Sequence, residues 1–218
     1  ETIADFEAAG FYRILQPAAY GGYEMRPLVL FEVAMILAQG CPSSAWCLCL
    51  VGVHNWEVAL VGPELAQDIW GEDDRVRLSS SYAPFGTVEL AEGGFLVSGR
   101  WPFSSGCDHC DWVILGGRAP SAPGGPPDQR AFFIPRSDYR IDDTWHVMGL
   151  RGTGSKDIVV ERAFVPAHRT HQFIHSFLGA DPGCETFRSP IYRYPFGVVF
   201  AYCLASVTLG MAEGARSA

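Results

Sequence analysis

The residues best suited to chemistry gather in one short stretch. Arg100-Trp-Pro-Phe-Ser-Ser-Gly-Cys-Asp-His-Cys-Asp-Trp112 joins the apolar run Gly94–Gly99 to the run Trp112–Gly116. A structural hairpin would need only a turn there, yet the stretch offers the aromatics Trp101 and Phe103, the hydroxyls Ser104 and Ser105, and Gly106. A flat conjugated ring could lie against such aromatics while the hydroxyls reach its heteroatoms. A solvated loop over packed aromatic rings would show the same spacing.

Other residues invite a metal reading. Cys107, His109 and Cys110 are close together, but no second Cys-x-x-Cys pair completes a four-ligand set. His168, His171 and His175 would share one face of a helix, yet no strong helix signal covers them, and a polar crossover accounts for them better. We therefore expect no metal site. His54 sits in a run apolar almost all round, where a lone histidine is usually a hydrogen-bonded core residue. Gly149, Gly152 and Gly154 let a backbone pass close to a ligand. Their order, with no helix following, is not a dinucleotide fingerprint.

The elements that would position these residues follow from periodicity and punctuation. Residues 1–75 read as helical: Ile3 and Phe6 recur at helical spacing, Pro17–Gly22 is a turn, and Leu28–Gln39 is a strong helix opened by Pro27. Gly40–Ser44 breaks it, and Ser43 or Ser44 can cap a buried helix from Ala45 to about Leu60. Pro63–Trp70 is a short helix. Over residues 76–167, short apolar runs alternate with Gly, Pro and Ser clusters: Arg77–Tyr82, Thr87–Leu90, Gly94–Gly99, Trp112–Gly116, Ala131–Ile134 and Asp157–Val160. This predicts an antiparallel β domain, sandwich or barrel, with a Pro/Gly hairpin loop at Pro120–Pro127. Residues 168–218 read as a crossover followed by a buried packing helix from Tyr194 onward.

Composition narrows the class. The chain has 218 residues, 48% hydrophobic and 18% charged, enough to bury a core. A net charge of -8 disfavours nucleic acid or an anionic membrane as partner. No uninterrupted apolar run approaches the roughly 18 residues of a membrane span. The acidic start, Glu1-Thr2-Ile3-Ala4-Asp5, lacks the basic opening of a secretory signal, so we expect a cytoplasmic protein with reduced thiols. Of the seven cysteines, Cys41, Cys47, Cys49 and Cys203 lie in apolar surroundings and read as small core residues.

Several segments resemble one family in series. Gly99-Arg-Trp-Pro-Phe-Ser-Ser-Gly106 is similar to the flavin-contacting strand end, Gly-x-Lys-x-Trp-Ile-Thr-Asn, of the acyl-CoA dehydrogenase superfamily. Its continuation through Trp112 is more like the oxygenase components of two-component flavin-dependent monooxygenases. Pro17–Gly22, Gly149–Ser155, Phe164-Val165-Pro166 and Leu209–Ala215 resemble further segments of that superfamily, in the right order. The last matches the first helix of its C-terminal four-helix domain, so the chain resembles an incomplete piece of a longer protein. Leu78–Gly86 departs from the dehydrogenase pattern Thr-Glu-Pro-x-x-Gly-Ser-Asp, with Ala83 where an acid is usual.

The resemblance implies an α+β, acyl-CoA dehydrogenase-like fold: an N-terminal helical domain, a middle β domain and the start of a four-helix bundle. It implies reduced flavin, FMNH2 or FADH2, supplied by a separate NAD(P)H-dependent reductase. It implies ortho-hydroxylation of a phenolic substrate with O2 through a flavin C4a-hydroperoxide, in a homotetramer. In its phenol-hydroxylating members a histidine and two serines have the mutual spacing of His54, Ser80 and Ser105, which makes these the expected catalytic residues. Phe103 falls on the ring-packing aromatic and Ser105 on the hydroxyl beside flavin N5. The expected flavin contacts are Ser80, Tyr82, Phe103, Ser104 and Ser105. The expected substrate contacts are His54, Ser80, Trp56 and Arg151, with Trp101 and Trp112 helping Phe103 to exclude water. An acyl-CoA dehydrogenase, an N- or S-hydroxylating flavoenzyme, and a scaffold of the same fold without flavin are the alternatives.

Overall fold

The protein was described from a computed structural model, which defines residues 1–121, 125 and 127–217. Half of the Pro120–Pro127 loop, residues 122–124 and 126, lies outside the described residues.

The first four helices are α1 (Thr2–Ala8), α2 (Pro27–Gly40), α3 (Pro42–Val61) and α4 (Pro63–Trp70). Proline opens each of the last three, where its missing N–H costs no helical hydrogen bond. The cap of α3 is Cys41, in extended backbone, so neither Ser43 nor Ser44 caps it. Cys41 itself is exposed, its Sγ 3.1 Å from Ser44 Oγ, because it stands outside the helix that buries Cys47 and Cys49. All residues from Val51 to Val61 are buried, so α3 is the central rod of the helical layer.

Eight strands follow: β1 (Leu78–Ser81), β2 (Thr87–Ala91), β3 (Gly94–Ser104), β4 (Trp112–Ala119), β5 (Asp128–Pro135), β6 (Arg140–Asp142), β7 (Lys156–Pro166) and β8 (Thr170–Gln172). They form two four-stranded sheets, ordered β1-β4-β5-β8 and β2-β3-β7-β6. The expectation of a purely antiparallel domain needs correction, because β1 pairs parallel with β4, Ser80 opposite Ile114. β3 and β7 run longer than their apolar runs, and β6 and β8 are too short and polar to have signalled themselves.

Side-chain alternation explains how the sheets are shared between two cores. On β4 and β5, Val113, Leu115, Phe132 and Ile134 enter a core between the sheets, with Val97, Trp101 and Ile158. Their neighbours Trp112, Ile114, Ala131 and Phe133 face the opposite way, into the core built on α3.

The remaining helices are α5 (Phe173–Leu178), α6 (Gly183–Thr186) and α7 (Phe196–Ser217). α7 is not buried throughout. Val199, Cys203 and Val207 join the α3 core, while Tyr202, Leu204 and Leu209 are exposed. Among the described residues, α3 and α7 are each long and apolar enough to cross a membrane, which corrects the expectation that no apolar run approaches that length. In α3 that apolarity is buried in the fold.

A bulge shapes the functional end of β3. Its register against β7 shifts between Trp101 and Ser104, where Pro102 has no N–H to give the ladder. The following Phe103 takes φ 66°, a left-handed conformation rare for a bulky residue. This turns its ring outward, leaving it 67% exposed.

Candidate functional site

The bulged end of β3, the end of β1, α3 and α7 line a half-open cavity of about 480 Å³. Ser80, Tyr82, Phe103 and Ser105 all line it, as do Trp46 and Leu50 of α3 and Phe200 and Leu204 of α7. Trp145, Leu150, Thr153 and Ser155 close it from the glycine-rich segment. The ring of Phe103 meets that of Trp145 edge-on at 6.0 Å, making an apolar wall.

The hydroxyls at one end form a chain whose direction can be worked out, since each has a single proton to donate. Thr153 Oγ1 donates to the Leu150 carbonyl at 3.0 Å, so Ser155 Oγ must donate to Thr153 Oγ1, 2.6 Å away. Ser105 Oγ then donates to Ser155 Oγ at 2.8 Å. It also accepts from Trp46 Nε1–H at 3.0 Å. One lone pair of Ser105 stays free, so towards the cavity this hydroxyl can act only as an acceptor. A flat apolar slot ending in an oriented acceptor fits a reduced flavin, whose N5 carries a hydrogen.

On β1, Ser80 and Ser81 both border the cavity, while Ser79 is fully buried and does not. Ser79 Oγ accepts from Ser104 Oγ at 3.0 Å, and Ser81 Oγ donates to the Pro102 carbonyl at 2.6 Å. Ser80 lines the cavity on the face that Leu78 presents to the helices. Ser104 is therefore buried behind the site and does not line it.

His54 lies one turn below Leu50 on the stripe Trp46, Leu50, His54, Glu57 of α3, a spacing that keeps all four on one helix face. It does not border the cavity directly. Its ring packs against Tyr82 at 6.1 Å and Phe200 at 5.8 Å, both of which do. Its Nε2 is buried without a hydrogen-bond partner. Glu57, which the sequence reading passed over, is fully buried. Tyr82 Oη donates to Glu57 Oε2, and His171 Nε2 lies 2.9 Å from Oε1. His54 Nδ1 is 3.4 Å from Oε2. Burial raises the Glu57 carboxyl, but hydrogen bonds and positive charge from His171 and His54 outweigh it and hold the group down at about 2. The next polar contacts are Ser176 Oγ, 2.7 Å from His171 Nδ1, and Asp181, 2.9 Å from Ser176. A His-x-x-Glu pair inside an apolar helix was the signal that could have found this network.

Other expected residues fall elsewhere. Trp56 points away from the stripe of His54 into the helical core, fully buried, and donates to the Ile191 carbonyl at 2.7 Å. Trp101 fills the core between the sheets and donates to the Gly116 carbonyl, and Trp112 lies under Arg169. Neither lines the cavity, so its water-excluding walls are Trp46, Trp145 and Phe200 beside Phe103. Arg151 is exposed in a separate polar groove of about 250 Å³ with Asp108 and Lys156. Among the described residues no group of three or more His, Cys, Asp or Glu side chains could hold a metal ion. His168 instead meets Asp68 at 2.7 Å.

The helical layer and the paired sheets match a fold of the acyl-CoA dehydrogenase type. The chain is similar over its whole length to oxygenase subunits of flavin-dependent monooxygenases. It is 43% identical over 218 residues to the flavin-dependent monooxygenase oxygenase subunit HsaA of Rhodococcus jostii, covering 100% of this chain and 57% of that protein. The oxygenase component of the FADH(2)-dependent resorcinol hydroxylase of a Rhizobium species is 36% identical over 217 residues, covering 99% of this chain and 53% of that protein. The crystal structure of 3-HSA hydroxylase from Rhodococcus sp. RHA1 superimposes with a TM-score of 0.94 at 42% identity, covering 99% of this chain and 56% of that one. The chain thus spans just over half the length of the curated relatives it matches. No family model matches it.

Proposed function

We propose that the full-length protein is the oxygenase component of a two-component flavin-dependent monooxygenase, hydroxylating a phenol beside its hydroxyl group. The observation that carries this reading is one cavity with an oriented acceptor, Ser105, at one end and a phenol-binding group, Ser80 with His54 behind it, at the other. Bound reduced flavin supplies the activated oxygen. The chain's own residues do the rest. Ser105 holds the hydrogen at N5, Ser80 binds the phenol oxygen, and His54 takes the phenol proton, which makes the ring carbon beside it more nucleophilic. Trp46, Phe103, Trp145 and Phe200 keep water away. A separate NAD(P)H-dependent reductase would supply the flavin, and the protein would work as a homotetramer in the cytoplasm.

The test is oxygen uptake by the full-length protein. Uptake coupled to a hydroxylated product is expected only with reduced flavin and a phenol together. Oxidation of an acyl-CoA by bound flavin would instead identify a dehydrogenase, and failure to bind flavin would identify a scaffold. Ser105→Ala removes the acceptor with little volume, so the variant should fold and bind phenol normally. Losing a hydrogen bond of roughly 1–3 kcal/mol should speed peroxide loss about five- to hundredfold. More of the oxygen consumed then leaves as hydrogen peroxide, counted alongside product. Unchanged coupling would remove Ser105 from the site.

A further inference from the structure

The buried acid of α3 has no part in the reading above, and its geometry dictates the state of the histidine beside it. Tyr82 has one proton, and it goes to Glu57 Oε2. Burial, then the Glu57 charge, push the Tyr82 hydroxyl well up, so it keeps that proton. Tyr82 Oη, 3.2 Å from His54 Nδ1, is therefore an acceptor towards the ring. The second group facing Nδ1 is the Glu57 carboxylate at 3.4 Å, which can only accept. With two acceptors before it, Nδ1 must carry a hydrogen. In a neutral imidazole that leaves a lone pair on Nε2, the atom that is buried with no partner.

We propose that Glu57 is the positioning residue that holds His54 as its Nδ1–H tautomer, so that Nε2 accepts the phenol proton and the imidazolium formed is paired at once. This rests on the phenol-hydroxylating reading of the cavity. The phenol O–H bond breaks, an Nε2–H bond forms, and the electron pair stays on the phenolate oxygen. Glu57 remains ionised throughout, so an ion pair replaces a single buried charge. Such an acid behind a histidine orients the ring and stabilises its charged form. Phe200, which lines the cavity, packs on the His54 ring at 5.8 Å. The other ionisable groups facing this cluster are His171 of β8 and Asp181 beyond α5, with the Cys203 thiol, pushed up by Cys49 and burial, on α7.

The experiment uses the full-length, flavin-free protein and para-nitrophenol, whose phenolate absorbs separately from the phenol. Wild type should bind the phenolate at pH values where the free probe is mostly protonated. Glu57→Gln should keep affinity for the neutral phenol but shift ionisation of the bound probe upward by about one pH unit, roughly tenfold. Glu57→Asp should recover part of that shift. If Glu57→Gln binds phenolate as wild type does while His54→Asn does not, the role of Glu57 is overturned and the reading of the site stands. If wild type binds no phenol, the site reading itself fails. Should Glu57→Gln not fold, nitrogen NMR of histidine-labelled wild type decides. A hydrogen on His54 Nδ1 supports the proposal, and one on Nε2 alone overturns it.

Discussion

Glu57→Ala should lower stability by about 3–5 kcal/mol, because it strands the partners of a buried charge. Tyr82, His171 and His54 all point at this carboxylate, which is itself fully buried. The effect has a pH signature with a definite sign. The folded-state pKa is held at about 2, below the ordinary 4.5. A depressed carboxyl stabilises the fold above its ordinary value and loses that contribution as pH falls towards the folded value. The stability gap between wild type and Glu57→Gln should therefore narrow as pH falls from 4.5 towards 2. Denaturant melts of both proteins across that range, subtracted from each other, remove the contribution of the other carboxyls. A gap that does not narrow in acid would mean the carboxylate is not held by its partners.

Trp56→Ala should cost a similar amount, about 3–5 kcal/mol, through the cavity it opens. The side chain is fully buried, meets Phe196 at 6.4 Å and anchors the Ile191 carbonyl through its indole N–H. Trp56→Phe keeps most of the volume and loses the hydrogen bond, so it should destabilise less. Both variants should leave phenol affinity unchanged in the folded fraction, because Trp56 faces the core and not the cavity. Calorimetric melts with para-nitrophenol binding on the same samples separate the two properties. A loss of phenol affinity at unchanged stability would return Trp56 to the binding site.

Helix boundaries were legible to within a residue for α2 and α4. By contrast, α3 starts at Pro42, three residues before the expected Ala45, because proline at the first helical position opens a helix as readily as it breaks one. Pro27, Pro42 and Pro63 open α2, α3 and α4, and Gly40 and Gly62 close α2 and α3. The existence of six of the eight strands was legible from the apolar runs, but pairing was not. The parallel pairing of β1 with β4 joins segments more than thirty residues apart in sequence, and nothing local encodes it. Cys41 read as a core residue because its neighbours are apolar, but it sits just before the first turn of α3 and faces solvent.

The site divides in the same way. Residue types, and the resemblance they carry, were enough to choose Ser80, Phe103, Ser105 and His54, since short motifs hold their chemistry in order along the chain. The sequence by itself could not separate His54 from Trp56, two residues apart on one helix. Successive helical residues turn by about 100°, so two residues of equal chemical promise part company, and only packing decides which joins the stripe beneath Leu50. Nor could it separate Ser79 from Ser80, because one register step moves each to the other face of the sheet. Glu57 lay wholly with the tertiary structure. A carboxylate inside an apolar helix has meaning only through its partners, and His171 comes to it from 114 residues further along the chain. The sequence determined which chemistry the chain can carry; the fold decided which lone pairs and protons remain free to perform it, because hydrogen-bond direction is set by the neighbours that folding brings together.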